Sequence, residues 1–545
     1  MPQAQEHGRA GLQRYILNDF TGGLHSTGVV SRIGISDTEC ACAQDVEFWP
    51  VGTVSKRTGR ICKNTSTQLS GYMSNIWKWY DSTLNNHVMA FTAASGTTCS
   101  AQVQQSSGEI TVWTMVIENG GGQRWNHQTG DTVSCVAMVG SAFFCNGVAN
   151  NELFVYDGSS ACCAVTDAPS GCKYVGFFSG YGFVANVCDS DGTRHGSRVY
   201  WSDPNDPHSW PASQWLDLDV NDGEEITGIC VLGNELIVFK KSKIFAISYV
   251  GGSFQFLSEL RVNGKGCSAG GSIFPKYAYI GFYGSDGFYR FDGREARRYS
   301  DKIKDFIVNI NHEAANRIMV TAVETHSQLW HLVPLETNTN NCILVYDYDR
   351  NNWTLHKAQG MSCMEGYIPL SYRTLGDVAI PYESEGATWG DLTETENLET
   401  AVLGSEDGWL YYTDFGTSDA SGTDSSVAIT GMWTSRWLDF DMPDINKRIT
   451  RVTLLFDNEC SAGGTAHFIH VNMYKNWDMS TVVATANIPL SSSNADWDIL
   501  LEKRIDTSFT CRTMAVEMYT DSIDEPWTLH EIIVEYLPKG RTLVL

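Results

Sequence analysis

Hydrophobic positions in this chain come in short runs. Four to six β-branched and aromatic residues stand together, and then Gly, Asp, Asn or Pro stops them. The pattern is densest from Arg198 to Gly293. There Arg198-Val199-Tyr200-Trp201 runs into a Pro-punctuated turn, Ser202-Asp203-Pro204 to Trp210-Pro211. Leu236 to Lys240 and Ile244 to Ile247 follow, then Tyr279 to Tyr283 and Gly287 to Gly293. Such runs predict consecutive antiparallel strands. Nothing among them has the spacing of an amphipathic helix.

A loose repeat extends this pattern from about 70 to 430. Leu153 to Gly158, Phe288 to Gly293, Leu344 to Asp347 and Gly408 to Asp414 are four versions of one ending, an aromatic strand followed by an acidic turn. Strands apolar on both sides need a sheet against each face, which stacked blades provide. The expected class is all-β: an irregular β-propeller over 66–430, with six blades favoured and seven possible. Beyond 431 the runs alternate apolar with polar, as in Arg451 to Phe456, His467 to Tyr474 and Glu531 to Tyr536. One wet face and one dry face predict a C-terminal β-sandwich over 431–545. Residues 1–65 read as an extended N-terminal arm, either solvated or docked on a neighbouring subunit.

Composition narrows the class. The chain has 545 residues, 42% hydrophobic and 19% charged, which excludes disorder. No apolar run approaches the roughly 18 residues of a membrane span, so membrane insertion by this chain is not expected. The polar start, Met1 to His7, does not read as a secretory signal. Of the 16 cysteines, Cys135, Cys145, Cys230, Cys342 and Cys511 lie in or beside strand patterns, Cys40-Ala41-Cys42 and Cys162-Cys163 form no metal-ligand series, and buried free thiols are expected.

Charge separates the candidate surfaces. The net charge is −25, which disfavours a protein that grips duplex DNA and suits one that DNA slides past. Between Arg373 and Arg436 there is no Lys or Arg, so the acidic segment 374–430 is expected to be a solvated loop or an acidic rim. Asp391, Glu394, Glu396, Glu399, Glu406 and Asp407 are the candidate rim or channel residues. Arg290, Arg294, Arg297, Arg298, Lys302 and Lys304 form the opposite feature and are candidates for contact with an adjacent copy.

Motifs for chemistry are few. Gly264-Lys265-Gly266 lacks the spacing of a phosphate loop. His312-Glu313 has Asn316 where a zinc protease needs its second His. Asp347-Tyr348-Asp349-Arg350-Asn351 starts like a calcium loop, but Asn352 and Ala358 stand at the positions of its Gly and Glu, so a turn is expected. Ser202-Asp203 to Trp210 only hints at a sialidase turn. No catalytic residue, cofactor or metal is expected.

Several segments together resemble the tail hub or nozzle proteins of short-tailed bacteriophages. Asn18-Asp19-Phe20-Thr21-Gly22-Gly23-Leu24, followed by Gly52-Thr53-Val54-Ser55-Lys56-Arg57-Thr58-Gly59, is similar to their opening pattern. Tyr200 to Pro211, Val238-Phe239-Lys240, Ser285 to Tyr289 and Val345 to Thr354 resemble their propeller core. Trp433 to Trp437, Lys447-Arg448 and Gly540-Arg541 fit the C-terminal part. The resemblance implies a structural virion protein, assembled in the host cytoplasm into a homo-oligomeric ring, commonly a hexamer, in the tail. Portal, adaptor and tail proteins would be its partners. Double-stranded DNA would be held back and then passed, without catalysis. The other reading is a receptor- or glycan-binding propeller of a virion or cell surface, with a possible glycoside hydrolase activity.

Overall fold

A strand that is apolar on both sides leaves one face wet unless a second sheet covers it. The computed structural model, which describes residues 11–26, 35–65, 68–93, 102–107, 113–118, 125–159, 161–189, 191–252, 255–367, 399–422, 425–457, 468–489, 500–523 and 525–539, satisfies this by repetition. Groups of four antiparallel strands succeed one another in meander order, except that the last takes its fourth strand from the N-terminal segment. Their first strands are Tyr72–Tyr80, Ser134–Met138, Tyr174–Phe178, Ile226–Leu232, Phe274–Pro275, Met319–Val323 and Met361–Tyr367. Each first strand touches the next, and Met361–Tyr367 touches Tyr72–Tyr80, so the groups stand round one axis. The fold is a β-propeller.

Strand Glu235–Lys240 shows how the packing follows from the side-chain period of two. Leu236 and Val238 pack with Phe183 and Phe256 of the third group and its neighbour's outer strand. Ile237 and Phe239 point the other way, onto Phe282 and Tyr289 of the fifth. Nine of the described cysteines are buried free thiols packed in this manner.

Two further sheets lie beyond the propeller. One contains Val46–Glu47, Val54–Lys56, Thr528–Lys539, Asn446–Phe456 and Leu501–Cys511, with Gln13–Leu17 also paired to Thr528–Lys539. The other continues the sixth propeller group: Asn352–Lys357 meets Glu39–Gln44, which pairs with Met432–Ser435, and Met514–Tyr519, Phe468–Lys475 and Ala484–Pro489 follow. One buried cluster joins Val452, Leu454 and Val534 of the first sheet to Val471, Val516 and Met518 of the second, and it runs on to Trp353 of the propeller.

The stretch expected as an arm is sewn into its own chain. Gln13–Leu17 pairs with Ile532 to Tyr536. Glu39–Gln44 bridges the propeller and the C-terminal strands. Arg60–Cys62 pairs with Leu410–Thr413 and supplies the fourth strand of the last propeller group. A propeller bounded at 66 therefore lacks its closing strand. Backbone N–H and C=O groups on strand edges need partners, and these edges find them in the same chain. Among the described residues no helix is long and apolar enough to cross a membrane.

Candidate functional site

Two places gather side chains whose arrangement goes beyond core packing. The first is the seam along which the N-terminal segment is sewn in. Phe20 is buried with its ring edge-on to Trp433 at 5.4 Å, and Leu24 is buried beside it. Gly23 has φ +69°, and a Cβ there would lie 2.6 Å from the Asn352 Cβ. Asn352 Nδ2 donates to the Thr21 carbonyl at 2.9 Å. Further on, Arg57 Nε donates to Asp45 Oδ1 at 2.7 Å, while its Nη1 and Nη2 donate to Asp419 Oδ1 and Oδ2 at 2.9 and 2.8 Å. Arg60 adds a contact to Asp419 at 3.2 Å. A Cβ on Gly59 would fall on the Ser418 carbonyl oxygen. Glu47 stands beside this network with its carboxyl pushed up to about 8, by burial first and by Asp414 second, against the lowering effect of Arg57. Nearly every charged group here is committed to another part of the same chain.

The second place is the axial cavity, about 210 Å³, lined by residues of most of the first strands. One mouth is spanned by a bridge: Asn316 Nδ2 donates to the Gly130 carbonyl at 2.9 Å. These two residues precede first strands that are not neighbours in the ring, Met319–Val323 and Ser134–Met138. Arg317 follows Asn316. Its guanidinium lies 5.5 Å from the Tyr72 ring centre, with Nη1 3.5 Å from the Tyr72 hydroxyl. Burial pushes the Tyr72 hydroxyl up to about 12, against the lowering effect of Arg317. On the first strand of the last group, half-buried Glu365 is pushed up to about 8 by burial, with Lys78 opposing and Glu399 adding to the shift.

A Ser-His-Asp set adjoins this cavity, which the sequence did not reveal because Ser74 lies 53 positions before His127, whose own loop carries Asp131. Ser74 Oγ lies 2.6 Å from His127 Nε2, and His127 Nδ1 lies 3.9 Å from Asp131 Oδ2. The hydrogen-bond polarity runs against nucleophile activation. Asn146 Oδ1 accepts from Asn151 Nδ2 at 2.8 Å and from the Val148 N–H at 3.3 Å, so its Nδ2 faces His127 Nδ1 at 3.1 Å as a donor. The neutral ring then carries its proton on Nε2 and donates to Ser74, whose hydroxyl donates to the Phe91 carbonyl at 2.9 Å. Burial lowers the His127 pKa to about 4. A base must accept the serine proton, and here His127 gives one instead. The set is a structural hydrogen-bond chain.

The basic cluster read from the sequence is divided by the fold. Arg290 is half-buried among Tyr279, Tyr299 and Tyr346, with ring centres at 5.1, 4.7 and 5.1 Å. Lys302 Nζ pairs with Glu39 at 3.0 Å and donates to the Asn351 carbonyl at 2.9 Å, so it pins the N-terminal segment. Those two candidates for contact with another copy are occupied within this chain. Arg298 pairs with Asp286 and Asp301 at 3.2 and 2.6 Å, and Arg297 pairs with Glu295. Arg294 and Lys304 are exposed.

Of the acidic candidates, Asp391, Glu394 and Glu396 lie outside the described residues. Glu399 Oε2 accepts the Glu324 N–H at 2.7 Å. Glu406 is half-buried, its carboxyl raised by burial, while Asp407 is exposed. Asp347 Oδ1 accepts the N–H groups of Asp349 and Arg350, both at 3.0 Å, and Oδ2 pairs with Arg350 at 2.6 Å, so this carboxylate caps its turn. Asp203 likewise accepts from Ser209 and Gln214 within its turn. Among the described residues no group of three or more His, Cys, Asp or Glu side chains is placed to hold a metal ion.

No protein-family model matches the chain, and no curated protein matches it. Among solved structures it is similar to the WD40 domain of Pan2 from Neurospora crassa, at 9% identity and TM-score 0.38, covering 68% of this chain and 98% of that one. It is also similar to the β-propeller domain of the Trilobed protease from Pyrococcus furiosus, described as having an open velcro topology, at 10% identity and TM-score 0.34, covering 62% and 95%. The computationally designed Ika8 protein is similar at 9% identity and TM-score 0.33, covering 64% and 97%. The propeller assignment itself rests on the strand order and the ring of first strands described above.

Proposed function

We propose that this chain is a structural virion protein of the tail hub or nozzle kind, a subunit of a ring that encloses the DNA path, retains the packaged genome and passes it during ejection. The observation that carries this reading is where the motif residues fall. Phe20, Gly23, Leu24, Arg57 and Gly59, on which the resemblance to that family rests, all lie on the seam that ties the N-terminal segment to the propeller and the C-terminal sheets. A subunit held together in this way suits a role that transmits load rather than one that turns over substrate.

In this reading the seven groups are seven blades, and the two further sheets are a β-sandwich stacked on the sixth. DNA passes between copies, not through one of them. An axial cavity of about 210 Å³ is far too small for a duplex whose major groove alone is about 12 Å wide. The charge of −25 favours sliding over capture. A homo-hexamer in the virion tail, between portal or adaptor and the more distal tail proteins, is the expected assembly, and no catalysis is assigned to it.

Mass photometry and negative-stain microscopy of the purified chain, alone and with its portal-side partner, test the proposal. A ring of one defined stoichiometry is expected. A chain that stays monomeric in both settings overturns it. One observation favours the glycan-binding reading: Tyr277 is fully exposed next to Lys276, which lies 4.4 Å from the Tyr348 ring centre. Binding or cleavage of a surface polysaccharide by the isolated chain would replace the first reading with that one.

A further inference from the structure

We propose that the axial cavity is a binding site for a small apolar α-amino acid, with its carboxylate on Arg317 and its ammonium near Asp131. The proposal is independent of the ring assembly, since it needs only one folded chain. The cavity measures about 210 Å³, below the roughly 300–1,000 Å³ of sites for drug-sized ligands. That size suits a molecule with a handful of heavy atoms.

The chemistry of the wall selects the ligand. Arg317 lines the cavity beside the Asn316–Gly130 bridge, and among the described residues its side chain makes one hydrogen bond and one ring contact, both to Tyr72. Glu406 is near enough to feel its charge but makes no ion pair with it. A guanidinium in a recess has lost part of its hydration, and its planar fork matches a carboxylate in two-point geometry. Tyr72 holds that fork from one side and offers a hydroxyl that burial keeps protonated.

Asp131 lines the same cavity and flanks the Asn316–Gly130 bridge. Its Oδ2 accepts the Gln128 N–H at 2.7 Å and lies 3.9 Å from His127, which burial keeps neutral. A carboxylate in this position opposes a dianion such as phosphate and attracts an ammonium group. The wall also carries Val133, Ile229, Ile273 and Met319, which would cover an aliphatic side chain. One cation, one anion and an apolar wall together describe a zwitterion with an apolar tail.

Saturation-transfer NMR on the full-length chain tests this with L-leucine, isocaproate (the same skeleton without the amino group) and inorganic phosphate as probes. L-Leucine is expected to bind, isocaproate more weakly, and phosphate not at all. R317M should weaken L-leucine by about tenfold to a hundredfold, the usual worth of a charge-assisted two-point contact. D131N should abolish the preference for L-leucine over isocaproate. Y72F keeps the ring and the fold and should weaken binding by a few-fold, which covers the case of an R317M chain that does not fold by circular dichroism. No L-leucine signal, equal binding by R317M, or phosphate binding in place of L-leucine would overturn the assignment and leave a water-filled axis.

Discussion

Arg57 and Asp419, 362 positions apart, share a two-pronged ion pair, Nη1 to Oδ1 at 2.9 Å and Nη2 to Oδ2 at 2.8 Å, with both side chains out of water. Asp45 completes the set from the other side at 2.7 Å. Charges buried in this way are tolerated only as a group, because removing one strands the rest.

R57M should therefore destabilise the chain by about 3–5 kcal/mol, read as a shift in the denaturant midpoint. Adding D45N and D419N should recover part of that loss, because the three groups are coupled. A triple variant no better than R57M would show that Arg57 acts through packing alone.

Gly59 lies where any side chain would strike the Ser418 carbonyl. G59A should push Arg60–Cys62 away from Leu410–Thr413, a local opening of the propeller's last group. Hydrogen exchange at Tyr411 to Thr413 is expected to speed up while exchange in Leu236–Phe239 stays slow. Uniform acceleration in both places would instead mean global destabilisation.

Truncating Phe20 to Ala removes a buried ring packed on Trp433. The expected cost is about 3–5 kcal/mol. Limited proteolysis between Leu24 and Asp45 should become faster, since this contact anchors the N-terminal segment to the C-terminal sheet.

Buried titratable groups give the stability a pH profile with two slopes. Glu365 is raised to about 8, so above its unfolded value the native state holds a proton that the unfolded chain has released. Stability from this group falls as pH rises from about 4.5 to 8. E365Q should melt at the same temperature as the parent near pH 4.5 and roughly 1–2 °C higher near pH 8.5. His127, His331 and His356 are lowered by burial to about 4, 3 and 3. Their contribution is complete above about 6.5 and is lost as pH falls toward those values. Replacing His331 with Phe should flatten the acid limb of the profile, with melting temperature against pH as the readout.

Strands such as Glu235–Lys240, Ile280–Tyr283 and Phe288–Phe291 were legible from their runs and stops, because period two and turn residues act over a few positions. The propeller class followed, since two-sided apolar strands have few ways to be covered. The fate of residues 13–62 was not legible: Arg60–Cys62 finds its partner strand some 350 positions away, and no local pattern records which distant edge will be vacant. The division of the basic cluster was hidden for a related reason. Arg290 and Arg297 stand opposite each other on paired strands, yet tyrosines from other segments, Tyr299 and Tyr346 among them, cover Arg290 while Arg297 on the outer strand stays in water. Ser74 on its strand met His127 and Asp131, which share one loop, only through the tertiary fold, and the direction of their hydrogen bonds was set by Asn146.

What the sequence determined by itself was the kind of element, the all-β class and the acidic character, because propensity, alternation and charge are local or additive. Tertiary structure alone decided how the ring closes, which charges are buried together, and what lines the axis. Those outcomes depend on which distant edges and side chains reach one another when the sheets stack, and on the cost of leaving any buried polar group without a partner.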